Sequence, residues 1–174
     1  MNIVVGLGNP GSEYERTRHN TGRMAADFVV EKTDGLKVFV PDTYMNKTGA
    51  AIAKVVKSKK AAEKLIVIYD DLDLPLGTMK ISYNRSSGGH RGVESIIKAL
   101  KTEAFIRIRI GISPATPSGK LKKPKGEKEV EKFILGEFKK PELEILKKVF
   151  KKVAEAVEVI VEEGKEAAMS EFNK

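Results

Sequence analysis

The chain contains no cysteine, which excludes disulfide bridges, thiolate metal sites and thiol nucleophiles. Its two histidines, His19 and His90, argue against a zinc site. Long hydrophobic runs are missing as well: no apolar stretch approaches the roughly 20 residues that span a bilayer. The start, MNIVVGLGNPG, has no basic segment ahead of its brief apolar run, so no signal peptide is expected and the address reads as cytoplasmic. Acidic residues are outnumbered, 24 against 32 basic, for a net charge of +8. The excess is not a tail. Residues 1–112 hold eighteen basic against twelve acidic side chains, 113–136 hold six lysines against three glutamates, and 137–174 are near balance. Such a body favours polyanionic partners through counterion release, although many basic proteins bind no nucleic acid.

What is present is the stuff of one core. With 174 residues, 41% hydrophobic and 32% charged, the chain is neither disordered nor membranous, and it can bury about 70% of the surface its unfolded form exposes. Strands and helices alternate along it. Residues 2–7 read as a buried strand, and Met24, Ala25, Phe28 and Val29 recur with helical period over 21–32. LKVFVP (36–41) is a second strand, and Thr48–Lys60 reads as one helix with Ala51, Ile52, Val55 and Val56 inward. LIVIYDD (65–71) is nearly all apolar, as a central covered strand should be. TMKISY (78–83) and FIRIRIGI (105–112) follow, with a helix over 91–101 between them. In the last strand Phe105, Arg107 and Arg109 share one face, and Ile106, Ile108 and Ile110 the other. Residues 113–129, rich in lysine and proline, read as a loop, and the apolar period over 141–163 as a C-terminal helix. The expected fold is a single α/β domain with helices on both faces of the sheet.

GLGNPG (6–11) spells G-x-G-x-x-G, the spacing of a dinucleotide-binding turn. That reading needs the third glycine to open a helix and an acid about 20 positions later at a strand end. Here Gly11 is followed by SEYERTRHN, which has no apolar period, and Asp27 and Glu31 fall inside the predicted helix. The cofactor reading is therefore weak. What remains is polar residues after strands: Asn9 after the first, Met45 and Asn46 after the second, Asp70 and Asp71 closing the third. Parallel α/β sheets bind ligands beyond the carboxyl ends of their strands, so these residues converge on one crevice if the three strands are neighbours. His19 could return to it from the first loop.

GLGNPGSEYERTRHNTG, PDTYMNKTG, DDLDLPLG, SSGGHRGVESI and FIRIRIGI, in that order, resemble the bacterial-type peptidyl-tRNA hydrolases over nearly the whole chain. The resemblance implies hydrolysis of the ester joining a peptide to the 3′ ribose of tRNA, in a single α/β domain with a twisted mixed sheet, no metal or other cofactor, and no obligate protein partner, acting as a monomer. It makes His19 the catalytic base and Asp70 the carboxylate that orients it, with Asp71 and Asp73 as alternatives in the same motif. Histidine suits the task, since its ordinary pKa near 6.5 lets it accept a proton from water near neutrality. By the same resemblance Asn9 lies beside the histidine and, with Asn46, positions the substrate. Tyr14, Tyr44 and Met45 line its path, and Arg109 meets a tRNA phosphate. Asn9, Met45, Tyr14 and Tyr44 each have a plainer reading, as turn former or packing group.

Three departures from the family pattern stand out. Arg91 follows GGH where the family usually has asparagine. Only EKTDGLK separates the first helix from VFVP, so the sheet should be shortened at one edge. A phosphate-contacting lysine is replaced by Ser82, with Lys80 and Arg85 as substitutes. His90, set among glycines, reads as a structural residue bonding a nearby carbonyl rather than as a second base. The lysines at 120, 122, 123, 125 and 128, and those at 147, 148, 151 and 152, are either solvated faces or RNA contacts. Two rivals stay open: an RNA-binding relative without activity, and a dinucleotide oxidoreductase.

Overall fold

A computed structural model describes residues 2–174. Five strands form one mixed sheet: β1 (Ile3–Gly6), β2 (Lys37–Phe39), β3 (Leu65–Pro75), β4 (Met79–Tyr83) and β5 (Ile106–Ser113), in spatial order β2-β1-β3-β5-β4. All pairings are parallel except β4 with β5. At one edge the sheet is short, for the outer strand β2 has three residues and pairs with β1.

Period-2 alternation sorts the strand residues into two cores. Val4, Ile66, Ile68, Ile106, Ile108 and Ile110 face one layer, made by α1 (Thr21–Lys32), α6 (Lys140–Glu163) and α7 (Lys165–Phe172). Val5, Leu65, Val67, Tyr69 and Phe105 face the other, where α2 (Thr48–Ala53), α3 (Lys59–Ala62) and α4 (Arg91–Leu100) contribute Ile52, Ala62, Val93 and Ile96. The α1 layer lies close to the sheet because of Gly22: a Cβ there would come within 2.1 Å of the Ile68 carbonyl oxygen. This tight seat brings the loop that precedes α1 to the carboxyl ends of β1 and β3.

Three segments differ from the sequence reading. The helix expected over Thr48–Lys60 ends at Ala53, and Ser58 starts a new one by accepting the Ala61 N–H at 3.0 Å; Ile52 and Val56 are nonetheless buried as expected. The lysine-rich loop gives way at Glu127 to α5 (Glu127–Ile134), a helix hidden in the sequence by its run of charges. Beyond α6, Gly164 at φ 97° turns the chain into α7, which buries only Ala168 and so leaves little periodic signal. The end of α7 has a job. Asn173 accepts the Ile81 N–H at 2.7 Å and donates to the Ile81 carbonyl at 2.8 Å, covering the free edge of β4 that would otherwise invite pairing with another chain.

Candidate active site

The strand order reverses around β1, and the crevice that this opens beyond β1 and β3 is where α/β sheets take ligands. A cavity of about 750 Å³ lies there. Its floor is Asp70, 4% exposed, at the point where β3 leaves the core. Asp70 Oδ2 accepts from His19 Nδ1 at 2.8 Å and Oδ1 from His90 Nε2 at 2.9 Å. The tautomers follow from the partners. His90 Nδ1 accepts the N–H groups of Gly92 and Val93 at 3.1 and 3.3 Å, capping α4, so its proton is on Nε2. The Asp70 carboxylate can only accept, so His19 carries its proton on Nδ1 and leaves the Nε2 lone pair free of any protein partner among the described residues.

Burial alone would raise the pKa of Asp70, but the charges and hydrogen bonds of His19 and His90 outweigh it and hold the carboxyl well below the usual carboxylate range. For His19 burial pushes the pKa down. The charge and hydrogen bond of Asp70 overcome that, while the nearby charge of Arg91 opposes them, and the net effect is a rise above 6.5. The two imidazoles lie 4.9 Å apart between ring centroids, and the Tyr69 ring meets His90 edge-on at 5.0 Å.

The histidine loop is held from two sides. Asn20 accepts the Asn9 N–H at 2.9 Å and returns its own amide to the Asn9 carbonyl at 3.0 Å, locking the turn after β1 to the residue following His19. Arg18 reaches the Phe133 carbonyl at 3.1 Å and lies over the Phe133 ring at 4.3 Å, tying the same loop to the end of α5. Asn20, 1% exposed, was missed by sequence reasoning, although it stands inside the quoted RHN motif.

Of the residues singled out in the sequence, Asn9, Tyr14, His19, Tyr44, Met45, Asn46, Asp70, Arg85, Arg91 and Arg109 all line this cavity. Asn9 does not bond His19: its Oδ1 accepts the Met45 N–H at 2.9 Å, which leaves the Nδ2 amide as the donor it can offer. The expected contact is replaced by a brace between the first and second strand ends. Met45 is buried against Gly92, and Tyr44, 53% exposed, meets Tyr14 edge-on at 6.3 Å. Lys80 lies outside the cavity, bonded to the Asn173 carbonyl at 2.8 Å. Asp71 and Asp73 have other partners, Arg109 at 2.8 Å and Lys123 at 2.5 Å, so only Asp70 of the three touches histidine. Arg109 also donates to Ser82 Oγ at 3.1 Å, so the serine helps aim the arginine. His90 is structural in part, as expected, but its partners are a carboxylate and two helix amides, not a carbonyl. The α5 wall, with Val130 and Ile134, was hidden in the charged stretch.

His19, Asp70 and His90 are the one group among the described residues whose potential metal-ligand atoms lie within 4.8 Å of one another. Both Asp70 oxygens are spent on imidazole N–H groups, and the second nitrogen of His90 on a helix end, so the donor set fits a proton relay better than an ion.

Comparison with known proteins agrees with the geometry. The family model described as peptidyl-tRNA hydrolase matches residues 3–38 and 32–174, the two stretches meeting at the short link between α1 and β2. The peptidyl-tRNA hydrolase of Aquifex aeolicus (strain VF5) is 40% identical over 195 aligned positions, spanning 100% of this chain and 97% of its own length. That of Thermotoga petrophila (strain ATCC BAA-488 / DSM 13995 / JCM 10881 / RKU-1) is 42% identical over 188 positions, spanning 98% and 96%. Both alignments are longer than the 174 residues of this chain, so these relatives carry residues it lacks. The crystal structure of peptidyl-tRNA hydrolase from Acinetobacter baumannii superposes with a TM-score of 0.85 at 26% identity, covering 99% of this chain and 94% of that one.

Proposed function

The chain belongs to the peptidyl-tRNA hydrolase family and is a hydrolase, and from that premise we propose how its residues divide the work. The substrate is the ester between a peptide, or an N-blocked amino acid, and the 3′ ribose of tRNA. His19 Nε2 takes a proton from a water in the cavity as the water oxygen bonds to the ester carbonyl carbon. The resulting imidazolium returns that proton to the ribose 3′ oxygen as the C–O bond breaks, leaving a free carboxylic acid, which ionises, and a free 3′ hydroxyl. Asp70 stays ionised throughout; it fixes the tautomer of His19 and stabilises its charged form.

The negative charge that develops on the carbonyl oxygen needs a neutral donor, and the Asn9 amide, its oxygen pinned by Met45, offers one without disturbing the base. Asn46, Tyr44, Met45 and Tyr14 form the wall along which the substrate lies, and Arg91 stands at its rim. Arg109 and Arg85 are the candidates for phosphate contact inside the cavity; Lys80, turned toward Asn173, is the weakest of the three. The protein works as a cytoplasmic monomer in this reading; among the described residues no helix is long and apolar enough to cross a membrane. The observation that carries the assignment is the buried His19 Nδ1 to Asp70 bond at 2.8 Å, in a histidine that lines the cavity and whose Nε2 has no protein partner among the described residues.

Incubation with N-blocked aminoacyl-tRNA tests it directly. Wild-type protein is expected to release free tRNA, and His19→Ala to bind the substrate without cleaving it. Unimpaired turnover by His19→Ala would remove this mechanism. Binding without cleavage by the wild type would favour an RNA-binding relative.

A further inference from the structure

Arg107 is 0% exposed and lies in no ion pair among the described residues. Its guanidinium stacks on the Phe105 ring at 4.0 Å and donates to three backbone carbonyls, those of Arg85, Ser86 at 3.1 Å and Glu103 at 3.1 Å. Two of these belong to consecutive residues of the 84–89 segment between β4 and His90. In a trans peptide the N–H points away from the C=O of the same plane. Carbonyls turned down onto Arg107 therefore turn the N–H groups of Ser86 and Ser87 up, away from it. Arg107 does not line the cavity, whereas Arg85, Ser86, Ser87, Gly88 and Gly89 all do. The segment that Arg107 holds from its carbonyl side is thus one wall of the cavity.

These amides are unspent. Among the described residues no protein acceptor bonds the N–H of Ser86, Ser87 or Gly88, while Gly89 N–H is taken by Ser87 Oγ at 3.2 Å and His90 N–H by the Ser87 carbonyl at 3.1 Å. The segment enters through Asn84 at φ 53° and leaves through Gly88 and Gly89 at φ 59° and 87°; left-handed residues of this kind, alternating with right-handed ones, can gather successive amides into an anion-binding concavity. A buried guanidinium on the carbonyl side polarises the same peptides and strengthens their outward donors. The segment carries no acid, and the exposed Arg85 side chain adds a charge beside it.

We propose that the backbone amides of Ser86, Ser87 and Gly88, aimed by buried Arg107, form a phosphate-binding site of this cavity, and that its ligand is a phosphodiester of the 3′-terminal nucleotides of the substrate. This rests on the tRNA ester reading above and deepens it. It also explains how the cleft can hold a phosphate while Arg109 is engaged with Asp71 and Ser82. Arg107 is then a positioning residue that never touches the substrate.

Amide NMR of the full ¹⁵N-labelled chain is the direct test, with inorganic phosphate and then the trinucleotide CCA as probes. Saturable downfield shifts of the Ser86, Ser87 and Gly88 amide protons are expected, shrinking as salt rises, and smaller in Arg107→Lys, which keeps the charge but not the threefold grip. Amides that stay still while the rest of the cavity responds to CCA would overturn the site. Gly88 gives an independent arm, because a Cβ there meets nothing within 4 Å and both Asn and Asp tolerate its left-handed backbone. Gly88→Asp is expected to bind CCA about tenfold more weakly than Gly88→Asn at low salt. Equal affinities would overturn the proposal. Hydrolysis of N-blocked aminoacyl-tRNA by the wild type with unmoved amides would refute the phosphate site alone. Amides that answer phosphate and CCA in a protein without hydrolysis would keep the site and refute the assigned reaction.

Discussion

The floor and the mouth of the cavity use the same kinds of charged side chain in opposite ways. On the floor, Asp70 holds two imidazoles at 2.8 and 2.9 Å with side chains at most 8% exposed, and every remaining polar atom but one has an assigned partner. At the mouth, Arg91 meets Glu127 at 3.2 Å with 64% and 84% of the side chains exposed, and Lys123 meets Asp73 with about half of each in water. Buried pairs lose heavily when one partner is removed, because the other is left charged and dry; exposed pairs exchange for water at little cost. Geometry is thus fixed at the floor, while the cations at the mouth are held loosely enough to exchange their partners.

The sharpest break in that contrast is His19→Ala. Loss of the base is expected to lower kcat by about 10³-fold in an N-blocked aminoacyl-tRNA assay. Asp70→Asn comes next, at about 10²-fold, since the imidazole persists in a poorer tautomer. Its pH profile is the more telling readout. On the proposed mechanism protonation of His19 removes the base, so kcat/KM of the wild type is expected to fall as pH drops through a midpoint above 6.5, the ordinary histidine value. Without the Asp70 charge, burial and Arg91 prevail and the midpoint moves to lower pH; an unmoved limb would mean that a different group titrates.

Arg109→Ala tests the intermediate depth. Its pair with Asp71 is only 10% and 13% exposed, so urea unfolding is expected to show a loss of about 3 kcal/mol, apart from any effect on tRNA. Glu127→Gln, at the mouth, is expected to move Tm by no more than about 2 °C. A larger shift would show that the rim is built as rigidly as the floor.

Much of this was legible in the chain itself. The helix read over 21–32 spans Thr21–Lys32, and the alternation in FIRIRIGI correctly separates Phe105, Arg107 and Arg109 from the isoleucines. The motif order carried His19, Asp70, Asn9 and Asn46 to one cavity. What escaped was local or long-range in a definite way. α5 was lost because EKEVEKFI shows more charge than apolar period, and the helix break at Ala53 because Ser58 acts through a single cap. The contact expected between Asn9 and His19 gave way to one with Met45, 36 residues distant.

Periodicity and residue type, which are properties of neighbours along the chain, determined that this protein is a covered α/β sheet with a basic, cysteine-free body and polar groups at its strand ends. They also determined which residue types were available there for ester hydrolysis. Partnership was decided elsewhere. Which of Asp70, Asp71 and Asp73 meets a histidine, that His90 shares that carboxylate, and that Arg107 is spent beneath the 84–89 segment depend on contacts among residues 20 to 51 positions apart. Hydrogen bonds of that kind are chosen by distances of a few tenths of an ångström, which only the packed sheet and its two helical layers set.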